Sequence, residues 1–188
     1  MTPLPSPDAV LDLIRSRRTV TLFRPDPVPA DVLHRAFDAA RWAPNHRLTE
    51  PWRFYLIGPE TAAEMVALNT RLVAEDRGER AAENKHRQWS AVPGWLAVTT
   101  RIGTDPLRER EDYAACCAAI QNLMLYLWSE GVATKWSTGP VTRSPEFYRL
   151  AGIDPEREML VGLVCYGYPM QQPAGIRRPI EEFVVVRP

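Results

Sequence analysis

The sequence is poor in the residues that build metal or nucleophile sites. Its three histidines stand far apart, at 34, 46 and 86. Of its three cysteines, Cys116 and Cys117 are adjacent inside a helical pattern and Cys165 lies in an apolar run. Neither set has the spacing of a zinc site, so no metal is expected, and the thiols read as buried and reduced, as in a cytoplasmic protein. There is no GxGxxG and no Walker P-loop, which argues against a classical dinucleotide fold and a P-loop ATPase. There is also no GxSxG. The formal net charge is zero, which argues against nucleic acid or an anionic membrane as the main partner. Met1–Pro7 is polar and proline-rich, unlike a secretory signal. Long apolar runs are missing as well. The most apolar segment, Tyr113–Trp128, is slightly short for a membrane span and carries Gln121 and Asn122 near its middle, so it reads as a buried helix.

The composition that remains is globular, 45% hydrophobic and 24% charged, and 188 residues suit one domain. The neutral total hides a local excess. Residues 15–53 hold eight arginines (15, 17, 18, 24, 35, 41, 47, 53) against four acids (26, 31, 38, 50). Such a cluster suits a small anionic ligand better than a polyanion. Two stretches within it carry the candidate chemistry. Arg17-Arg18-Thr19 follows a helical pattern: arginines there can satisfy the helix dipole, or, with the hydroxyl, grip a phosphate through planar forks of donors. The second stretch, Arg41–Phe54, joins a helix to a strand through a loop with two prolines, Asn45, His46 and Arg47. Proline restricts its own φ and the residue before it, so the loop should be stiff; it can hold a flat ligand, or be only a helix-to-strand connection with some surface polar residues.

In chain order, Ser6-Pro7-Asp8 caps a helix with Val10, Leu13 and Ile14 on one face. Val20–Phe23 is a short extended piece, and a helix follows from about Ala30 to Trp42. Trp52–Ile57 reads as a strand. Met65, Leu68 and Leu72 have helical periodicity, and residues 75–90 read as helical, exposed and mobile. Trp95–Ile102 is a second strand, Asp105–Asp112 a charged stretch, and Tyr113–Glu130 the strongest helix, stopped by Gly131. Ala133–Thr138 alternates like a strand, Ser144-Pro145-Glu146 caps a short helix ended by Gly152, and Met159–Tyr166 is an apolar strand. Phe183–Val186 is a last extended piece. Intermixed helices and strands with few βαβ units predict an α+β domain with a mixed sheet.

Three pieces together resemble the nitroreductase family of FMN-dependent oxidoreductases: RSRRTVTLF at 15–23, AARWAPNHRLTEPWRF at 39–54 and RRPIEEFV at 177–184. Their order and spacing cover essentially the whole chain, and its length resembles the family's minimal members. The resemblance implies a three-layer α-β-α sandwich around a mixed, mainly antiparallel sheet, in one domain over 1–188. It implies an intertwined homodimer in which the tail, 176–188, crosses to the partner. Arg17, Arg18 and Thr19 then match the motif that contacts the flavin phosphate, ribityl chain and pyrimidine edge. Trp42 and His46 match loop positions that reach the flavin from the other subunit. Trp136, Ser137 and Thr138 match the segment over the ring, with the Thr138 backbone N–H near flavin N5. Arg177 and Arg178 match basic residues that bind phosphate. The flavin carries the hydride, so no catalytic side chain is implied.

The implied activity is reduction of a nitroaromatic, a quinone or a similar acceptor by NAD(P)H, in ping-pong order. Flavin fragmentation, reductive dehalogenation and flavin binding without turnover are the alternatives on the same scaffold. Two departures from the family pattern stand out. Thr21 occupies the place where many members carry a basic residue beside a flavin carbonyl. Trp136-Ser137-Thr138-Gly139 replaces the more usual Pro-Ile-x-Gly, and an indole there narrows the pocket.

Overall fold

Alternate residues of each central strand feed two separate cores. The computed structural model describes residues 4–187. Its sheet runs β1 (Trp52–Ile57), β2 (Gly94–Arg101), β4 (Glu158–Gly167), β3 (Ala133–Ser137), each strand antiparallel to its neighbour. Successive side chains of a strand point to opposite faces. On one face Leu96, Val98, Val164 and Tyr166 pack with α2 (Ala30–Ala40) and α5 (Pro106–Ser129). On the other, Trp95, Ala97, Leu163 and Cys165 pack with α3 (Pro59–Arg77), α4 (Glu79–Ser90) and α6 (Pro145–Leu150). The result is the expected three-layer α-β-α arrangement. Parallel pairing enters at its edge, where Thr19 bridges Thr134.

α5 begins earlier than its apolar pattern suggests. Asp105 caps it by accepting from the Leu107 N–H (3.0 Å), Pro106 takes the first helical position, and of its charged first turns only Asp112 is buried. At its far end Gly131 turns with φ 75°, in the left-handed region that favours glycine, and the Val132 N–H returns to the Leu127 carbonyl at 2.8 Å. One stripe of α5 is core: Cys116, Ala119, Ile120, Leu123 and Leu127 are almost wholly buried. A second stripe, with Cys117, Ala118, Gln121 and Leu125, is only half-buried.

Residues 75–90 are helical and mostly exposed, as expected, and they are docked at two points. α3 continues to Arg77, Gly78 turns at φ 81°, and α4 folds back against α3 through the buried Ala82 and Trp89. After a single turn over Ile180–Glu182, Phe183–Val186 runs exposed, without a place in its own chain's sheet. α1 (Pro7–Ser16) buries no residue and leaves Val10, Leu11 and Ile14 exposed. Among the described residues no helix is long and apolar enough to cross a membrane.

Candidate active site

Arg17, Arg18 and Thr19 are fixed by what lies on either side of them. α1 starts at the Ser6 cap and ends at Ser16, whose hydroxyl accepts from the Trp128 indole N–H at the end of α5 (2.9 Å). Arg17 leaves the helix in an extended conformation. The Val20 N–H then donates to the Thr134 carbonyl (3.2 Å), and the Val20 side chain is buried as an anchor. Further on, the Arg24 N–H donates to the Tyr168 carbonyl (2.8 Å) and the Met170 N–H to the Leu22 carbonyl (3.0 Å). The segment 19–24 is thereby held between β3 and the chain leaving β4.

The tail closes the same corner. Gln172 Nε2 donates to the Ser16 carbonyl (3.2 Å), and Gly175 lies against the Arg18 guanidinium, where a Cβ would overlap it. Burial first, then the charges of Arg177 and Arg18, push the Arg17 guanidinium below its ordinary range. Three guanidiniums converge, and among the described residues none of them pairs with a carboxylate. Arg18 Nη1 caps the helix through the Arg15 and Arg17 carbonyls, but its buried Nε has no hydrogen-bond partner. Arg178 is engaged elsewhere: it pairs with Glu182 (2.9 Å) and lies 4.5 Å over the Phe183 ring. Of the two tail arginines, Arg177 is the one whose charge reaches Arg17.

β3 supplies the next wall. Trp136 lies over Gly162 of β4, so closely that a Cβ on Gly162 would overlap the indole, and its buried Nε1 has no partner. Ser137 shares a narrow pocket with Thr21, Phe23, Lys135 and Cys165. Thr138 follows, exposed, just past the strand. The Thr19–Thr134 bridge therefore joins the two sequence-predicted segments, 17–19 and 136–138, in one corner.

Trp42 and His46 are elsewhere. Their loop is ordered internally: Asn45 Nδ2 donates to the Ala43 carbonyl (3.2 Å), and Asn45 Oδ1 accepts from the Glu50 N–H (3.0 Å). Thr49 donates to the buried Asp112 of α5 (2.6 Å), which also receives Arg101 Nε (3.1 Å). These bonds hold Arg47, Leu48 and Glu50 at φ between 42° and 56°, unusual for non-glycine residues. Trp42 is 76% exposed above a shallow dish with Ala43, Pro44 and Leu48. The loop is tied to α5 at Asp112 and the arginine corner at Trp128. Sixteen helical residues separate them, about 24 Å. Within one chain the two halves of the expected site do not meet.

Sequence reading missed Gln172, Gly175 and Lys135 in this corner. The small residue two places before Arg177-Arg178 was the available signal for the tail's close approach.

A family model described as Nitroreductase family matches residues 14–168. Over 176 residues the chain is 32% identical to YfhC of Bacillus subtilis (strain 168), an NAD(P)H nitroreductase by name, covering 91% of this chain and 90% of that protein. It superposes on a nitroreductase-like family protein from Bacillus cereus with TM-score 0.82 and 30% identity, over 100% of this chain and 98% of the other. A Desulfovibrio desulfuricans protein solved in complex with FMN shares the fold, with TM-score 0.77, 22% identity and coverage of 98% and 99%.

Proposed function

The chain belongs to the nitroreductase family, and from that premise we propose that it is an FMN-dependent oxidoreductase. It uses NAD(P)H to reduce a nitroaromatic, a quinone or a similar acceptor, and it works as a homodimer. The observation that carries this reading is the convergence of Arg17, Arg18 and Arg177 without a carboxylate partner. Three such charges repel one another and call for an anion, and a phosphate monoester accepts the forked N–H groups they offer. The residues fit FMN in a second respect. The unsatisfied Arg18 Nε lies in the same corner, and a buried donor without a partner is costly.

Bound FMN supplies the hydride chemistry. The chain's residues bind and orient it. Arg17 and Arg177 hold the phosphate, assisted by Arg18, and Thr19 takes the ribityl chain. Ser137 and the backbone N–H of Thr138 face the ring's reactive edge, and Trp136 limits the space above it. The reductant and the acceptor occupy the same space in turn, a ping-pong order, and neither half-reaction requires a side-chain acid.

The unfinished surfaces support the dimer. The half-buried stripe of α5, the exposed Val10, Leu11 and Ile14 of α1, and the unpaired tail with Phe183 and Val185 all need cover. A two-fold axis that runs two copies of α5 past each other in opposite directions would bring Trp42 and His46 of one subunit to the arginine corner of the other.

The test is an absorption spectrum of the purified protein before and after NAD(P)H, with the cofactor released by heat and identified by chromatography. FMN that bleaches on adding NAD(P)H and recovers with an acceptor is the expected result. Recovery of FAD, or of no flavin after reconstitution with FMN, would overturn it.

A further inference from the structure

The chain has 21 arginines and only two lysines, Lys85 and Lys135. The two lysines lie together. Burial first, and then the charges of Lys135 and Arg77, push the Lys85 ammonium below its ordinary range. Among the described residues neither lysine forms an ion pair. Lys135 is half-buried on β3, and Ala133 before it and Ser137 after it alternate onto the same face of the sheet. It lines the narrow pocket that also contains Thr21, Gln88 and Ser137.

That company matters. Thr21 is the position at which many family members carry a basic residue beside a flavin carbonyl. Ser137 belongs to the segment proposed above to face the ring. The pocket has about 10 Å³ of free space, room for a single water-sized group, so it suits a protruding carbonyl rather than a separate substrate. Lys135 is half-buried and pairs with no carboxylate among the described residues, which leaves its ammonium free for an oxygen placed in the pocket. Its compact charge suits one carbonyl oxygen, whereas a planar guanidinium suits a two-pronged acceptor.

We propose that Lys135 supplies the cation at the pyrimidine edge of the flavin, taking over from β3 the role that Thr21 cannot fill on the neighbouring segment. The inference rests on the FMN reading above. Reduction places negative charge on that edge of the ring, and a fixed ammonium beside it favours the reduced cofactor over the oxidised one.

The experiment compares wild type, Lys135→Met, Lys135→Arg and the double variant Thr21→Lys/Lys135→Met. The readouts are the dissociation constant of oxidised FMN and the midpoint potential of the bound cofactor, measured by equilibration with a reference dye. In Lys135→Met, reduced FMN should bind about tenfold more weakly while oxidised FMN changes little, which for a two-electron couple lowers the potential by about 30 mV. Lys135→Arg should recover part of this, and the double variant should recover most, because it returns a cation to the same pocket from Thr21. An unchanged potential in Lys135→Met with FMN bound overturns the role of Lys135 and leaves the flavin reading intact. So does a lowered potential that the double variant fails to restore. A wild type that binds no FMN overturns both. If Lys135→Met does not fold, Lys135→Gln serves as the neutral variant with the same two outcomes.

Discussion

Thr19 and Thr134 form a parallel bridge, closed by the Val20 N–H donating to the Thr134 carbonyl at 3.2 Å. This one pairing joins two stretches more than a hundred residues apart. It sets the end of α1, with Arg17 and Arg18, beside the end of β3, with Trp136, Ser137 and Thr138. Without it the arginines would be a helix C-terminus and the Trp-Ser-Thr run a strand end. With it they share one corner, where the proposed function puts the phosphate end and the ring end of one site.

The arginines should separate by role. Arg17→Ala should weaken FMN binding by one to two decades, the equivalent of roughly 1.5–3 kcal/mol for a lost charge-assisted bond. Arg18→Ala should weaken it too and also lower the unfolding midpoint, because Arg18 Nη1 caps the carbonyls at the end of α1. Arg15→Ala should do neither. Fluorescence titration with FMN and urea unfolding measure the two effects. Equal behaviour of all three variants would mean that the cluster only caps a helix.

Removing residues 176–188 should cost both the dimer and the flavin. The deletion takes away Arg177 and the exposed Ile180, Phe183, Val184, Val185 and Val186. Light scattering gives the mass and absorbance gives the flavin content. A yellow, stable monomer would refute the crossing tail.

Complementation tests the shared site directly. Arg17→Ala damages the corner that the loop of the other subunit should reach, and a Trp42→Ala/His46→Ala subunit damages the loop. Each homodimer should bind FMN poorly. A mixed dimer has one doubly damaged site and one intact site, so it should bind one FMN per two chains with near wild-type affinity. No recovery on mixing would place Trp42 and His46 outside the flavin site.

The elements were largely legible because their signals are local. Ser6-Pro7 and Ser144-Pro145 cap helices where expected, and Trp52–Ile57 is a strand over those same residues. The misreadings arose where distant partners decide. The start of β4 at Glu158 was hidden, because a carboxylate enters a sheet only when it is bonded. Here Arg53 (2.7 Å), Tyr55 (2.9 Å) and Thr99 (2.5 Å) surround it. The docking of α4 depended on Trp89 meeting Trp95 from β2, with ring centroids 4.7 Å apart. In the site, the motif residues were legible, and their division between two subunits came only from the family resemblance, since nothing local to the residues states which copies meet.

Alkaline pH should destabilise the fold through its buried thiols. Burial holds Cys116 and Cys165 up at about 11, against an ordinary value of 9.0. The folded state then binds these protons more tightly than the unfolded chain does. The stability they contribute is fully present below pH 9 and is lost as the pH rises through 11, at most about 3 kcal/mol per thiol. Urea midpoints measured between about pH 8 and about pH 10.5 should fall, and they should fall less in Cys116→Ala/Cys165→Ala. Parallel declines in the two proteins would assign the effect to other groups.

Gly162 and Trp136 should behave as one unit. The three nearest atoms that a Cβ on Gly162 would meet all belong to the Trp136 indole, so Gly162→Ala should destabilise by about 1–3 kcal/mol, as overpacking does. In a Trp136→Ala background the same Cβ has room, and most of that cost should vanish, a coupling that a double-mutant cycle measures. The functional consequence runs in parallel. Trp136→Ala opens space over the ring and should admit bulkier acceptors, whereas Gly162→Ala displaces the indole and should change acceptor preference while NAD(P)H still reduces the flavin. Stopped-flow measurement of each half-reaction separates the two. If both variants slow flavin reduction as much as acceptor reduction, the indole governs flavin position rather than the room left for the acceptor. If the cycle shows no coupling, Gly162 serves the backbone of β4 and the contact with Trp136 is incidental.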